Sequence, residues 1–512
     1  MFADFGQPDF QIRRAASGKS ANMAGTRSCV MPEANVTRRN LLLILATTTA
    51  LSALALSAAR ARDVPKIATG FVASILCSET FVSGQQPDRI FRETTAAMPG
   101  TNLITWAMNY EVDRARKEAS VTLLGFGRSR AVYREGLGCY LDHGGAVADI
   151  AVPSIDVKSS PALLPEIAGP SVVASANPEL AAALDRAFAE PEQPPLRATK
   201  AIVVLRDGRV VAERYAEGYG IDTSILGFSA TKSVMSALTG ILVRKGLLTL
   251  DQPAPVAAWQ GAGDPRRAIN VDHLLRHTAG LALGSSLQAS LGSAFEPVNR
   301  MKFVEADMAG YAESVELATP PGSQWNYNDG NTVILAHLIR NAAGGKASDM
   351  LRFAQAELFG PLGMRNVTIE FDASGNAEGS SQMLATARDW ARFGQLYLSD
   401  GVVGGKRILP EGWVKYSASP TPNAWVGYGA GFWTNLGDSM GANYRSAHGW
   451  PRDAFFAKGT IGQYVVIIPS EKLVIVRLGR SPNGPPEADG VFRLVADVVA
   501  ATGNKAKVAR GN

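Results

Sequence analysis

The pair of residues in this chain best suited to covalent chemistry is a serine followed three positions later by a lysine, in Ser229-Ala230-Thr231-Lys232. Ser229 to Arg244 carries apolar residues at helical spacing and stops at Gly246, so positions 229 and 232 share one helix face. A serine hydroxyl is a poor nucleophile until a neighbour takes its proton. Lysine ordinarily keeps its proton to about pH 10.4. Burial among Phe228, Val234 and Met235 is expected to lower that value, and the helix N-terminus favours anionic character at Ser229. The same four residues, taken alone, also describe a serine N-cap with a solvated lysine beyond it. Other templates fit less well. Gly227-Phe228-Ser229-Ala230-Thr231 lacks the second glycine of a nucleophile elbow. None of the five histidines (His143, His273, His277, His337, His448) sits in a recognisable triad block. His273 and His277 are four apart, but Leu274 stands where a zincin needs glutamate, so packing and helix-end bonding is the better account. No metal and no cofactor is expected.

Three further blocks follow in order: Asp272-His273-Leu274-Leu275-Arg276-His277-Thr278-Ala279-Gly280-Leu281, Pro321-Gly322-Ser323-Gln324-Trp325-Asn326-Tyr327-Asn328-Asp329, and Gly459-Thr460-Ile461-Gly462-Gln463-Tyr464. With Phe228-Ser229-Ala230-Thr231-Lys232-Ser233 they resemble the β-lactamase-related serine hydrolases. That group includes class C β-lactamases, D-alanyl-D-alanine carboxypeptidases, certain esterases and 6-aminohexanoate-dimer hydrolases. The likeness runs from about Ser171 to Gly503. It implies that Ser229 is acylated, Lys232 is its base, and Tyr327 carries a proton to the leaving group. It implies an oxyanion hole made by the Ser229 N–H and an edge-strand N–H near Gly459 to Gly462. Two residues depart from the pattern. The Y-x-N motif reads Tyr327-Asn328-Asp329, and an aspartate cannot donate an amide hydrogen bond. No Lys-Thr-Gly triplet precedes the last hairpin, although Lys458-Gly459-Thr460 holds similar residues in another order. Both departures favour an ester or linear amide over a β-lactam.

The elements that must position these residues can be read from periodicity. Ala201–Leu205, Arg206-Asp207-Gly208-Arg209 and Val210–Tyr215 predict a hairpin with an Asp-Gly turn directly before Ser229. Gln463–Ile468 and Leu473–Leu478 predict a second hairpin, followed by a helix over about Glu487 to Ala501. Strands at both ends and helices between them predict an α/β (α+β) domain of the β-lactamase/transpeptidase-like kind. One antiparallel sheet would be completed by both termini, flanked by helices and interrupted by an inserted helical lobe. Trp325, Trp425, Trp433 and Trp450 could line an apolar pocket or simply fill the core. His448-Gly449-Trp450 precedes the last hairpin, at the expected rim of the site. Asp329, His448, Trp450, Gly459 and Gly462 are the expected substrate contacts.

The 512 residues, 46% of them hydrophobic and 19% charged, support a large core and argue against global disorder. The net charge of +5 is mostly local: residues 1–61 hold seven Lys/Arg against Asp4, Asp9 and Glu33, leaving 44 basic and 43 acidic residues. That balance gives no support for a nucleic-acid partner. Arg38-Arg39 before an apolar run, with Ala59-Arg60-Ala61 beyond it, reads as an export signal, either general secretory or twin-arginine. A periplasmic or secreted protein with no membrane anchor after cleavage is expected, its partner a small ester or amide. Cys77 and Cys139 remain after the leader, so a disulfide is expected in an oxidising compartment. The expected organisation is a leader at 1–61, a small segment and linker at 62–165, a hydrolase domain at 166–505 and a tail at 506–512. The alternatives are a penicillin-binding sensor or inactive scaffold without turnover, and a class C-type β-lactamase or D-Ala-D-Ala carboxypeptidase.

Overall fold

Alternation along three long strands sets the architecture. On Thr199–Arg206, Val203 and Leu205 face one apolar cluster while Ile202 and Val204 face another. Gln463–Ile468 divides in the same way, Val465 and Ile467 against Tyr464, Val466 and Ile468. So does Leu473–Gly479, Val474 and Val476 against Leu473 and Ile475. A strand with period-2 side chains and apolar residues on both faces must be covered twice. Helix Ala387–Leu398 covers one face with Trp390, Phe393 and Leu396. Helices Pro178–Phe188 and Arg493–Thr502 cover the other with Leu180, Leu184, Leu494 and Val498.

In this computed structural model, residues 63–98, 100–150, 161–287, 292–482 and 488–503 are described. The expected leader and C-terminal tail lie outside them, as does the middle of the proline-punctuated linker. The main sheet has six strands in the order Trp433–Thr434, Phe455–Gly459, Gln463–Ile468, Leu473–Gly479, Thr199–Arg206, Arg209–Tyr215. Every neighbouring pair is antiparallel. Both expected hairpins form, and the first turns on Asp207 and Gly208 at φ of 49° and 78°, the paired positive values of a type I′ turn. The intervening lobe is mainly helical, built around Thr231–Arg244 and Asp329–Ala343. A short sheet pairs Ile225–Leu226 with Met383–Ala385, and Gly227 N donates to Met383 O at 2.9 Å. This pairing fixes the chain just before Ser229 against the chain just after Ser381.

Helices 63–81 and Pro87–Ala97 and a four-stranded antiparallel meander over Met108–Asp142 share one apolar cluster with Leu226, Phe228, Leu384 and Ile461. A buried ionic group adds to it. Lys200 Nζ lies 3.6 Å from Glu79 and 3.2 Å from Glu93, and Arg480 pairs with Glu79 and donates to Thr94 Oγ1 at 2.9 Å. The described residues from 63 onward form one compact unit. Cys77 and Cys139 lie side by side, with Cα atoms 6.1 Å apart, a separation a disulfide spans. Among the described residues, no helix is long and apolar enough to cross a membrane.

Candidate active site

Ser229 occupies a 3-10 turn, Phe228–Ala230, that runs directly into helix Thr231–Arg244. Phe228 takes a φ of 46°, a left-handed conformation that costs a bulky residue about 1 kcal/mol or more. Its ring is anchored in the apolar cluster of the first segment, with the Arg480 guanidinium 5.5 Å from its centroid. The strain at Phe228 projects Ser229 at the mouth of the helix. Gly227 and Gly459 are what make room: a β-carbon on Gly459 would lie 2.1 Å from the Gly227 carbonyl oxygen. The strand Phe455–Gly459 is thereby pressed against the serine turn.

Helix Thr231–Arg244 is buried from Thr231 through Leu242, which carries Lys232 into the interior. Lys232 Nζ donates to Ser229 Oγ at 3.0 Å, to Asp329 Oδ1 at 2.6 Å and to the Ser380 carbonyl at 2.8 Å. The apolar pocket expected around this amine is thus not its whole environment. All three N–H bonds of an ammonium have an acceptor, one of them a carboxylate.

Tyr327 ends an extended stretch whose next residue, Asn328, caps helix Asp329–Ala343 by accepting from Asn331 N. Its ring is wedged among His277, Tyr428 and Trp433, with centroids 4.7, 5.5 and 5.6 Å away. The Lys232 ammonium lies 5.0 Å from the ring centre. Burial pushes the Tyr327 hydroxyl above its ordinary range, although the Lys232 charge and hydrogen bonds to Ser229 and Lys232 oppose that shift. His277 is held by Tyr428 Oη at 3.2 Å on Nε2 and by Asn331 Nδ2 at 3.2 Å on Nδ1. Burial, helped by the Lys232 charge, depresses this imidazole to about 3. It is a neutral spacer that fixes Tyr327, while His273 closes a capping box with Asn270.

Asp329 sits in the first turn of its helix, where the macrodipole favours a carboxylate. Burial opposes its charge, but the ammoniums of Lys232 and Lys302 outweigh burial and hold it well below the carboxylate range. Lys302, on helix Pro297–Phe303, donates to Asp329 Oδ2 at 2.9 Å and to Ser381 Oγ at 2.8 Å. Nothing in the spacing around Met301-Lys302-Phe303 marks this lysine in advance.

These groups open onto a cleft of 590 Å³ lined by Ser229, Lys302, Tyr327 and Asp329. One wall, with Ile67, Phe71, Met98 and Ile104, comes from the first segment. The lining also includes Trp425, 47% exposed, with Trp433, Lys458 and Thr460. Of the five expected substrate contacts Asp329 lines the cleft, while His448, Trp450, Gly459 and Gly462 are not among its lining residues. His448 bonds Tyr444 O through Nδ1 and packs on Phe492. Trp450 is buried, and its Nε1 donates to Phe492 O at 3.2 Å. Both pack on Phe492, and Trp450 also packs on Phe456, the strand residue whose other neighbour is the cleft residue Trp433. Gly462, at φ 95°, packs against Arg477, whose Nη1 donates to the Gly462 carbonyl at 2.7 Å. It turns the hairpin and does not line the cleft; Lys458 and Thr460 do.

The β-lactamase family profile matches residues 185–500 of this sequence, the span that builds this site and the main sheet. The chain belongs to the β-lactamase family. Members of this family are serine hydrolases. A 6-aminohexanoate-dimer hydrolase of Paenarthrobacter ureafaciens is 28% identical over 230 residues, 42% of this chain and 56% of that protein. The chain thus spans little more than half the length of that relative. A protein of Alkalihalophilus pseudofirmus is 22% identical over 58% of this chain and 87% of its own. A Bacillus anthracis structure, provisionally named as a 6-aminohexanoate-dimer hydrolase, superposes with a TM-score of 0.50 at 22% identity, covering 64% of this chain and 87% of that one. That superposition supports the β-lactamase/transpeptidase-like fold.

Proposed function

We propose that the protein is an exported serine hydrolase that cleaves a carboxylic ester or linear amide through an acyl-enzyme at Ser229. One observation carries the reading: the buried Lys232 amine donates to the Ser229 hydroxyl at 3.0 Å and lies 5.0 Å from the Tyr327 ring centre, and Ser229 and Tyr327 line one open cleft. Ser229 Oγ attacks the substrate carbonyl, and its proton passes to the Lys232–Tyr327 couple. The oxyanion is held by the Ser229 N–H and a strand N–H near Gly459. Tyr327 delivers the proton to the departing alcohol or amine, leaving the acyl on Ser229. Water, deprotonated by the same couple, then releases the acid and restores the hydroxyl. The apolar wall of Ile67, Phe71, Met98 and Ile104 suits an aliphatic chain. The name of the Paenarthrobacter relative agrees with a linear aliphatic amide. Asp329, which cannot donate to a substrate carbonyl, weighs against a β-lactam.

Incubation with a fluorophosphonate followed by peptide mass analysis should place the label on Ser229, and p-nitrophenyl esters should be turned over repeatedly. A protein that is neither labelled nor active, with Ser229→Ala indistinguishable from wild type, would end this reading. The Lys232–Asp329 ion pair favours a second one, a scaffold that is acylated but does not turn over. A single stoichiometric burst of nitrophenol without a steady state would select it.

A further inference from the structure

Asp329 is shared by two ammoniums, one on each oxygen: Lys232 at 2.6 Å and Lys302 at 2.9 Å. The same lysines grip neighbouring atoms of one short segment, Lys232 on the Ser380 carbonyl and Lys302 on Ser381 Oγ. Behind Lys302 lies Glu378 Oε1 at 3.4 Å, itself accepting from Ser380 and Ser381 hydroxyls at 2.9 and 2.8 Å. If Lys232 alone faced Asp329, giving up its proton would strand a bare carboxylate beside a neutral amine in a buried site. That is a costly state. With Lys302 in place, the carboxylate keeps a partner whichever form Lys232 takes.

We infer that Lys302 is a positioning residue for catalysis: together with Asp329 it forms a net-neutral pair that does the work of an uncharged amide beside Lys232, leaving Lys232 free to act as a base. The inference rests on the acyl-enzyme reading above. It concerns Lys302, whose ammonium is engaged by Asp329, Ser381 and Glu378. The charged and titratable groups around the three residues are Tyr327 and His277 beside Lys232, and Glu378 beside Lys302. Burial raises the Glu378 carboxyl against the pull of Lys302, and Asp329 and Glu378 together hold Lys302 above its ordinary value despite burial. Lys302 thus supplies a lasting positive charge.

The test is a charge cycle. Wild type, Lys302→Met, Asp329→Asn and the double variant are compared by the rate of fluorophosphonate labelling of Ser229 as a function of pH. Removing the Lys302 charge leaves Asp329 acting on Lys232 alone and favours its ammonium, so the ascending limb moves up by about one to three pH units. Removing the Asp329 charge leaves Lys302 facing Lys232, so the limb moves down. In the double variant the two shifts cancel, and labelling near neutral pH recovers by about tenfold or more over Lys302→Met. Lys302→Arg, which keeps the charge, holds the limb near its wild-type position and covers the case in which the methionine variant fails to fold. A limb that stays put in Lys302→Met, or a double variant no better than the poorer single, overturns the inference while wild-type labelling leaves the hydrolase reading standing. A wild type that is not labelled at Ser229 removes both.

Discussion

At the scale of single residues, the chemistry depends on protons held between a few buried groups. Tyr327→Phe keeps the ring wedged against His277, Tyr428 and Trp433 but removes the hydroxyl. Its kcat on a p-nitrophenyl ester should fall about 100-fold or more, with thermal unfolding little changed. His277 gives a pH dependence of stability with a definite sign. Its folded value, about 3, lies below the ordinary value of an exposed imidazole, so the unfolded chain binds the proton more readily. The stability is complete above about pH 6.5 and is lost as pH falls toward 3, by about 3 kcal/mol at pH 4. Chemical denaturation at pH 7 and pH 4 should show that loss, and His277→Gln should reduce it. Ser229, Lys232 and Tyr327 were each visible in the sequence because local spacing or a short block marks them. Lys302 was not, since a lone lysine on a seven-residue helix looks like a solvated one.

At the scale of elements, the site is set by contacts between backbones. Strand Phe455–Gly459 approaches the serine turn so closely that Gly459→Ala would drive a methyl against the Gly227 carbonyl. That substitution should cost about 2 kcal/mol in stability and slow Ser229 labelling more than its stability loss explains, because the backbone that aims Ser229 must yield. Both hairpins and the helices at Ser229 and after Tyr327 follow from periodicity and turn residues. Which loop meets which did not. His448 and Trp450 were placed at the rim from their position before the last hairpin, yet they pack on Phe492 and are not among the residues that line the cleft. The length of the intervening chain does not say what these side chains meet, and Trp450 is buried against Phe456.

At the scale of the whole molecule, the first segment supplies both a wall of the cleft and part of the core. Lys200, 2% exposed, holds Glu79 and Glu93 of that segment to the central sheet. Lys200→Met should destabilise the protein by about 3–5 kcal/mol, because it leaves buried carboxylates short of a counter-charge. A chain beginning at residue 166 should be insoluble. Phe71→Ala should lower kcat/KM for long-chain esters more than for acetate, since it removes apolar wall and leaves Ser229 in place. In the oxidised protein, Cys77 and Cys139 should be joined, the intact mass two hydrogens lighter than after reduction. Reduction should lower stability by about 2–4 kcal/mol.

Local order in the sequence determined the hairpins of the antiparallel sheet, the helix that places a lysine one turn past a serine, and the tyrosine block, because each depends on residues near one another along the chain. Tertiary structure alone decided that the first segment walls the cleft, that Asp329 is shared by Lys232 and Lys302, and that His448 and Trp450 pack on Phe492 and Gly462 on Arg477. The sharing of Asp329 depends on charges 27 and 97 positions away along the chain, and the other two outcomes on packing between distant segments; pairing at such distances leaves no periodic trace.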